Sequence, residues 1–309
     1  MIRGCTRRWY GKAAMTSYAV NPRSYVTDPL IRVDPTMPAW QQPTPLHNRW
    51  HPDIPSVATV APHQVFRVEC LDWTGGQIHN DDCADDVRDV DLTQVHYLSG
   101  PIQVEGARPG DVLVVDILDI GPLPTAMWGF TGIFDVKNGG GFLHQHFPAA
   151  HKAIWDFEGI YAKSRHLEGL RFAGLTHPGL IGCAPSKELL QRWNSREATL
   201  AAEPIHAVMF NPSCCPTLSN PPTEKGALLG DIQKGTQLWR DIAATAARTV
   251  PPRENGGNCD IKNLSRGSRV YFPVYVPGAK LSLGDIHFSQ GDGEITYGSS
   301  FFLFRLFLC

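Results

Sequence analysis

What this chain lacks narrows it first. Its 309 residues contain no run of about 18 uninterrupted apolar residues, so no helical membrane span is expected. A strong charge of either sign is also missing. With 28 basic against 30 acidic side chains the net charge is −2, which offers no electrostatic case for nucleic acid or an anionic membrane. The eight cysteines form no CxxC pair and follow no secretory apolar segment, so reduced thiols in an intracellular, cytoplasmic protein are expected rather than a disulfide framework. No GxSxG elbow, HExxH helix or GxxxxGK loop occurs, which removes support for three common enzyme classes. No internal repeat of roughly 20–50 residues is evident, which disfavours propellers and solenoids.

What is present is β pattern. The 42% hydrophobic content is enough for a core, and 29 glycines and 25 prolines supply turns. Val65–Leu71 alternates, with Val65, Arg67, Glu69 and Leu71 on one face and Phe66, Val68 and Cys70 on the other. Pro101–Glu105 and Asp111–Ile120 read as strands around the turn Gly106–Gly110, and Arg269–Val276 and Ala279–Leu283 repeat that rhythm around Pro277-Gly278. Helical pattern is sparse: Ser186–Ala202, with Ser186 as N-cap, and a short candidate over Asp241–Thr249. The expected class is mainly β (β-rich α+β), a sandwich or jelly roll.

The two ends differ from the middle. Residues 1–27 hold Arg3, Arg7, Arg8, Lys12 and Arg23 and no acid, a composition shared by organellar transit peptides and untidy tails; a mitochondrial or plastid address is therefore the alternative to the cytoplasm. Six prolines over residues 34–55 exclude α-helix and predict an extended arm lying across a surface. Phe301–Cys309 carries one charge in nine residues, so it is either a buried terminal strand or not the natural end of this fold. The abrupt junction at Gly298-Ser299-Ser300 favours the second reading. Left in water, such a tail would drive association.

Three constellations offer chemistry. Glu69 and Asp72 sit at a strand end beside Gly75-Gly76, a setting for a hard cation, a general base or an ordinary solvated turn. Asp72–Asp91 gathers seven Asp against one Arg but lacks the spacing of a calcium loop, and reads as an acidic solvated loop. The richest stretch is Gly284–Glu294, where Asp285, His287, Gln290, Asp292 and Glu294 fall among three glycines. Strand period two puts Asp285 and His287 on one face. One histidine among carboxylates makes either a zinc-type site or a hydrogen-bonded structural cluster.

These segments together resemble the acetamidase/formamidase family. The matching stretches are Leu46–Pro55, Val68–Gln77, Gly100–Gly106, His177–Gly182, Gly256–Lys262 and Gly284–Glu294, in the family's order across residues 46–297. The resemblance implies hydrolysis of small linear amides, formamide above all, by a jelly-roll-like fold assembled into homo-oligomers. It also implies a divalent metal, zinc first and calcium as the alternative. On that reading His287, Asp285 and Asp292 are the metal ligands. Glu294, Asp72 and Glu69 are the catalytic carboxylates, with Glu294 moving the proton to nitrogen. Gln290, Asn258 and His177 contact substrate, and Cys259 stays open as an alternative nucleophile. Residues 1–45 form a basic, Pro-rich lead-in, 46–297 the family-like domain and 298–309 an atypical tail. Family members run on beyond the Gly-Asp-Gly-Glu segment, so a truncated or alternatively spliced form, incomplete at its C-terminus and inactive as a catalyst, is the competing expectation.

Overall fold

A computed structural model describes residues 28–141, 144–202, 221–291, 294 and 304–308; the basic segment 1–27 and Asp292 lie outside the described residues. Strands dominate. In chain order they are β1 (Arg49–Trp50), β2 (Ala58–Val60), β3 (Phe66–Cys70), β4 (Leu98–Val104), β5 (Val112–Pro122), β6 (Trp128–Ile133), β7 (His151–Glu158) and β8 (Tyr161–Ser164). Then follow β9 (Arg171–Ala173), β10 (His177–Cys183), β11 (Ala247–Arg248), β12 (Gly256–Asn258), β13 (Arg269–Pro273), β14 (Leu281–His287) and β15 (Phe304–Leu308). The helices are α1 (Asp85–Asp89), α2 (Lys187–Ala202) and α3 (Gln237–Ala243).

One sheet has the order β12-β10-β14-β4-β2 and is antiparallel except for the parallel β2–β4 pair. A second, all antiparallel, has the order β13-β5-β15-β3. Ile181 and Leu283 of the first share one apolar core with Val68, Ile117 and Leu308 of the second, so the two sheets are layers of a sandwich. The sheet β6-β7-β8-β9 adds Phe130, Ile154 and Phe157 to the same core. Every residue of β10 and β14 is buried, as expected of central strands covered on both faces. Strand β5 instead alternates, with Val115 and Ile117 inward and Val112 and Val114 exposed.

The expected strands around residues 65–71, 101–105, 111–120 and 269–276 are present as β3, β4, β5 and β13. Helix α2 starts where its cap predicts: Ser186 Oγ accepts the Leu189 amide at 3.1 Å. The second helix lies earlier than expected, capped by Thr236, and Ala247–Arg248 is a strand paired with β1. The proline-rich arm has no α-helix, only the 3-10 turn Ala39–Gln41 and β1; residues 34–45 lie largely at the surface as expected, with Trp40 exposed, but the following stretch is buried. Leu46, His47, Asn48, Arg49 and Trp50 are each at most 1% exposed, because the arm supplies β1 and an isolated pairing of His47 with Leu98.

The tail also departs from expectation. Phe304–Leu308 does not stand in water: β15 fills the position between β3 and β5, opposite Phe66–Cys70 on one side and Ile117–Pro122 on the other. Its backbone groups find partners on both edges, and Leu308 is fully buried.

Candidate active site

The neighbouring strands β12, β10, β14 and β4 frame the site. β14 pairs with β10 on one side, placing His287 opposite His177, and with β4 on the other, placing Gly284 opposite Leu98. On the far edge of β10, β12 sets Asn258 opposite Leu180, and the chain then turns so that the Cys259 and Asp260 amides both donate to Gly179 O, at 2.8 and 3.1 Å. Asp260 is thereby brought to the end of β14. His287 Nε2 lies 3.4 Å from Asp285 Oδ1 and 3.9 Å from Asp260 Oδ1. Donor atoms of Asp260, His287 and Glu294 all fall within 4.8 Å of one another. The three carboxylate residues Asp260, Asp285 and Glu294 have φ of 40°, 51° and 39°, a left-handed backbone that non-glycine residues adopt rarely and that clusters at functional sites.

Gly179 makes room for this cluster. A Cβ there would stand 2.5 Å from Asp285 Oδ2 and 2.6 Å from His287 Nε2, so only glycine lets β10 pass beneath both groups. Asp285 is 3% exposed, and its Oδ1 accepts no hydrogen bond. Burial, reinforced by the nearby Asp72 charge, raises the Asp285 pKa well above the carboxylate range. Asp260 is raised by burial and then by Asp285 and Glu294, against a lowering hydrogen bond from Asn258. Burial lowers His287, which keeps the ring neutral. Crowded acids beside a neutral imidazole are a site short of one positive charge, whether a proton or a cation.

The other expected residues fall in three groups. Gln290 and His177 join the cluster: Gln290 Oε1 lies 2.7 Å from His287 Nδ1 and 3.1 Å from His177 Nε2. Asn258 lies beside it, with Nδ2 donating to Val250 O at 3.0 Å and a buried Oδ1 that accepts no hydrogen bond. Asp72 is near enough to act on Asp285 by its charge, but its oxygens are engaged within its own turn by the Thr74 amide and hydroxyl and the Gly76 amide. Glu69 is spent elsewhere, accepting from Arg67 Nη2 at 3.0 Å and the Val33 amide at 3.2 Å. The Cys259 thiol is raised by burial and by Asp260, which withholds the thiolate a nucleophile needs. Three residues are not marked by the sequence: Gly179, Asp260 and His96. Asp260 sits inside a quoted motif, but its approach to His287 depends on the β12 turn. His96 packs against Trp73 with ring centroids 5.6 Å apart, and burial, Arg248 and His287 lower its pKa to about 3.

A second acidic group, His79, Asp81 and Asp86, already holds a cation of its own. The Lys152 ammonium is 2.9 Å from Asp81 Oδ1 and 2.8 Å from Asp86 Oδ2, and its side chain is fully buried.

Residues 32–301 match the model of the Acetamidase/Formamidase family. The chain belongs to that family. It is 59% identical over 268 residues to the formamidase of Methylophilus methylotrophus, covering 87% of this chain and 64% of that protein. To the acetamidase of Mycolicibacterium smegmatis it is 56% identical over 275 residues, covering 87% and 66%. The chain thus spans just under two thirds of the length of the curated relatives it matches. Among solved structures, the gamma lactamase from Delftia acidovorans superposes with a TM-score of 0.82 at 54% identity, covering 91% of this chain and 67% of that one. The acetamidase from Bacillus halodurans, at TM-score 0.60 and 23% identity over 85% of this chain and 67% of that one, shares the fold.

Proposed function

We propose that this chain hydrolyses small amides, taking an amide and water to a carboxylate and ammonium. The observation that carries the reading is the convergence of His287, Asp285, Asp260 and Glu294 on one point at the end of β14. Support comes from relatives named formamidase, acetamidase and gamma lactamase, all names for amide-bond chemistry.

The divalent cation implied by the resemblance fits these residues. Gly179 leaves the space, and Asp285 Oδ1 is a buried acceptor with no hydrogen bond. His287 Nε2, Asp285 and Asp260 would hold the ion, and one imidazole among carboxylates suits zinc better than calcium. Bound there, zinc would polarise the amide carbonyl and acidify water. Glu294 takes the proton from the attacking water and delivers it to the amide nitrogen as the C–N bond breaks. His96, neutral and half-buried against Trp73, helps wall the reacting group from solvent. Assembly into homo-oligomers belongs to the same proposal and is supported by the exposed Ile160, Leu167, Leu170 and Leu175; light scattering reads it directly.

The test is ammonia release from formamide and acetamide, with amine formation from a five-membered lactam, for wild type and His287→Ala, beside elemental analysis for zinc. Turnover with bound zinc in wild type, and loss of both in the variant, is the expected result. Folded wild-type protein that turns over none of the three would favour a non-catalytic fold fragment. Activity surviving exhaustive chelation would remove the metal role.

A further inference from the structure

Gln290 lies three residues past His287 and touches both sides of the candidate centre. Its amide nitrogen donates to the carbonyl oxygen of Asp260. A peptide carbonyl only accepts, so the group set against it is the NH2 of Gln290. The other end, Oε1, therefore faces the two imidazoles. At 2.7 Å from His287 Nδ1, that oxygen calls for a proton on Nδ1. In a neutral ring, Nε2 is then unprotonated, and Nε2 is the atom 3.4 Å from Asp285 and 3.9 Å from Asp260. The reversed amide would suit His177, whose Nδ1 donates to Leu175 O at 2.6 Å and whose Nε2 is thereby an acceptor. It would also press an oxygen against the Asp260 carbonyl. The His177 contact, at 3.1 Å, is the longest of the three and decides least.

We infer that Gln290 is a positioning residue that fixes His287 as the Nδ1–H tautomer, turning Nε2 toward the carboxylates, and ties the Asp260 loop to the end of β14. The tautomer follows from the hydrogen bonds alone; its consequence for cation binding rests on the ligand reading above. Without an acceptor at Nδ1, the ring would shift its proton to Nε2 and donate to Asp285, closing the nitrogen to a cation. Gln290→Met removes both hydrogen bonds while keeping bulk. Gln290→Glu keeps an acceptor for His287 and loses the donor to Asp260.

The experiment is nitrogen-15 NMR of the histidine rings in zinc-free protein, beside zinc titration of the same samples. His287 in wild type should show a protonated Nδ1 and an unprotonated Nε2. In Gln290→Met the pattern should reverse and zinc affinity fall by about 10–100-fold, while Gln290→Glu keeps the wild-type tautomer. A wild-type ring protonated at Nε2, or a methionine variant unchanged in tautomer and affinity, would overturn the assignment. Should the methionine variant not fold, the wild-type spectrum decides alone. Wild type that binds no zinc but shows the Nδ1–H tautomer would support the role of Gln290 and sink the cation reading.

Discussion

Gly179 has no side chain, and the candidate centre depends on that absence. Gly179→Ala would drive a methyl against Asp285 Oδ2, His287 Nε2 and the Asp285 backbone oxygen, so the variant should lose about tenfold or more in zinc affinity and unfold at a lower denaturant concentration. Unchanged affinity would show that the cation binds elsewhere. Glu294→Gln keeps shape and removes the carboxylate proposed to carry the proton; turnover should drop by roughly 10²–10⁴-fold with zinc retained, and a near-normal rate would exclude Glu294 from the chemistry. At this scale the sequence was legible where residues are neighbours. Asp285, His287, Gln290 and Glu294 sit in one stretch, and their density marks the candidate site. Asp260 and Gly179 were not legible as site residues, because a strand turn and a cross-strand pairing bring them to His287. Glu69 illustrates the reverse: a carboxylate at a promising strand end is absorbed by Arg67 and a backbone amide.

Elements were read best where a local signal marks their ends. Alternation marks β3, β-branched content between Gly/Pro turns marks β5, and the Ser186 cap marks α2. The shorter helix was placed too late because its apolar side chains Ile242 and Ala243 run on into Ala244, Ala246 and Ala247, while the decisive cap, Thr236, lies upstream. Strand β15 was the hardest, since an apolar run has no period that separates a buried strand from a stray tail. Its position reverses one expectation. Removing Phe304–Leu308 would unpair β3 and β5 and expose their edges, so the shortened chain should be less soluble and less stable. A milder change, Leu308→Ala, should lower unfolding free energy by about 2–5 kcal/mol by chemical denaturation. A shortened chain that is more soluble and no less stable would mean that the strand is not formed in solution.

Across the whole molecule, buried histidines shape the response to acid. His47 Nδ1 donates to Arg49 O and its Nε2 meets Ser282 Oγ, at 2.8 Å each, and burial lowers its pKa from 6.5 to about 4. His51 is lowered to about 4 for the same reason. The folded state holds both rings neutral, whereas the unfolded chain takes up protons below about pH 6.5. Their contribution to stability is therefore present above pH 6.5 and lost as pH falls toward 4. Asp260 and Asp285, raised in the folded state, act in the opposite sense as pH climbs, so a differential measurement is needed. Between pH 6.5 and 4, His47→Gln protein should show a slope of unfolding free energy shallower by about one proton; identical slopes would mean that His47 titrates normally.

The place of β15 also has a consequence in time. β3 and β5 are never hydrogen-bonded to each other; each meets the other only through a strand encoded much later in the chain. During synthesis the amino-terminal half must wait on the ribosome with a gap in one of its two layers, exposing backbone that any extended peptide can join. Closure of that gap joins β3 to a strand close to the other end of the described residues, a non-local pairing of the kind that slows folding.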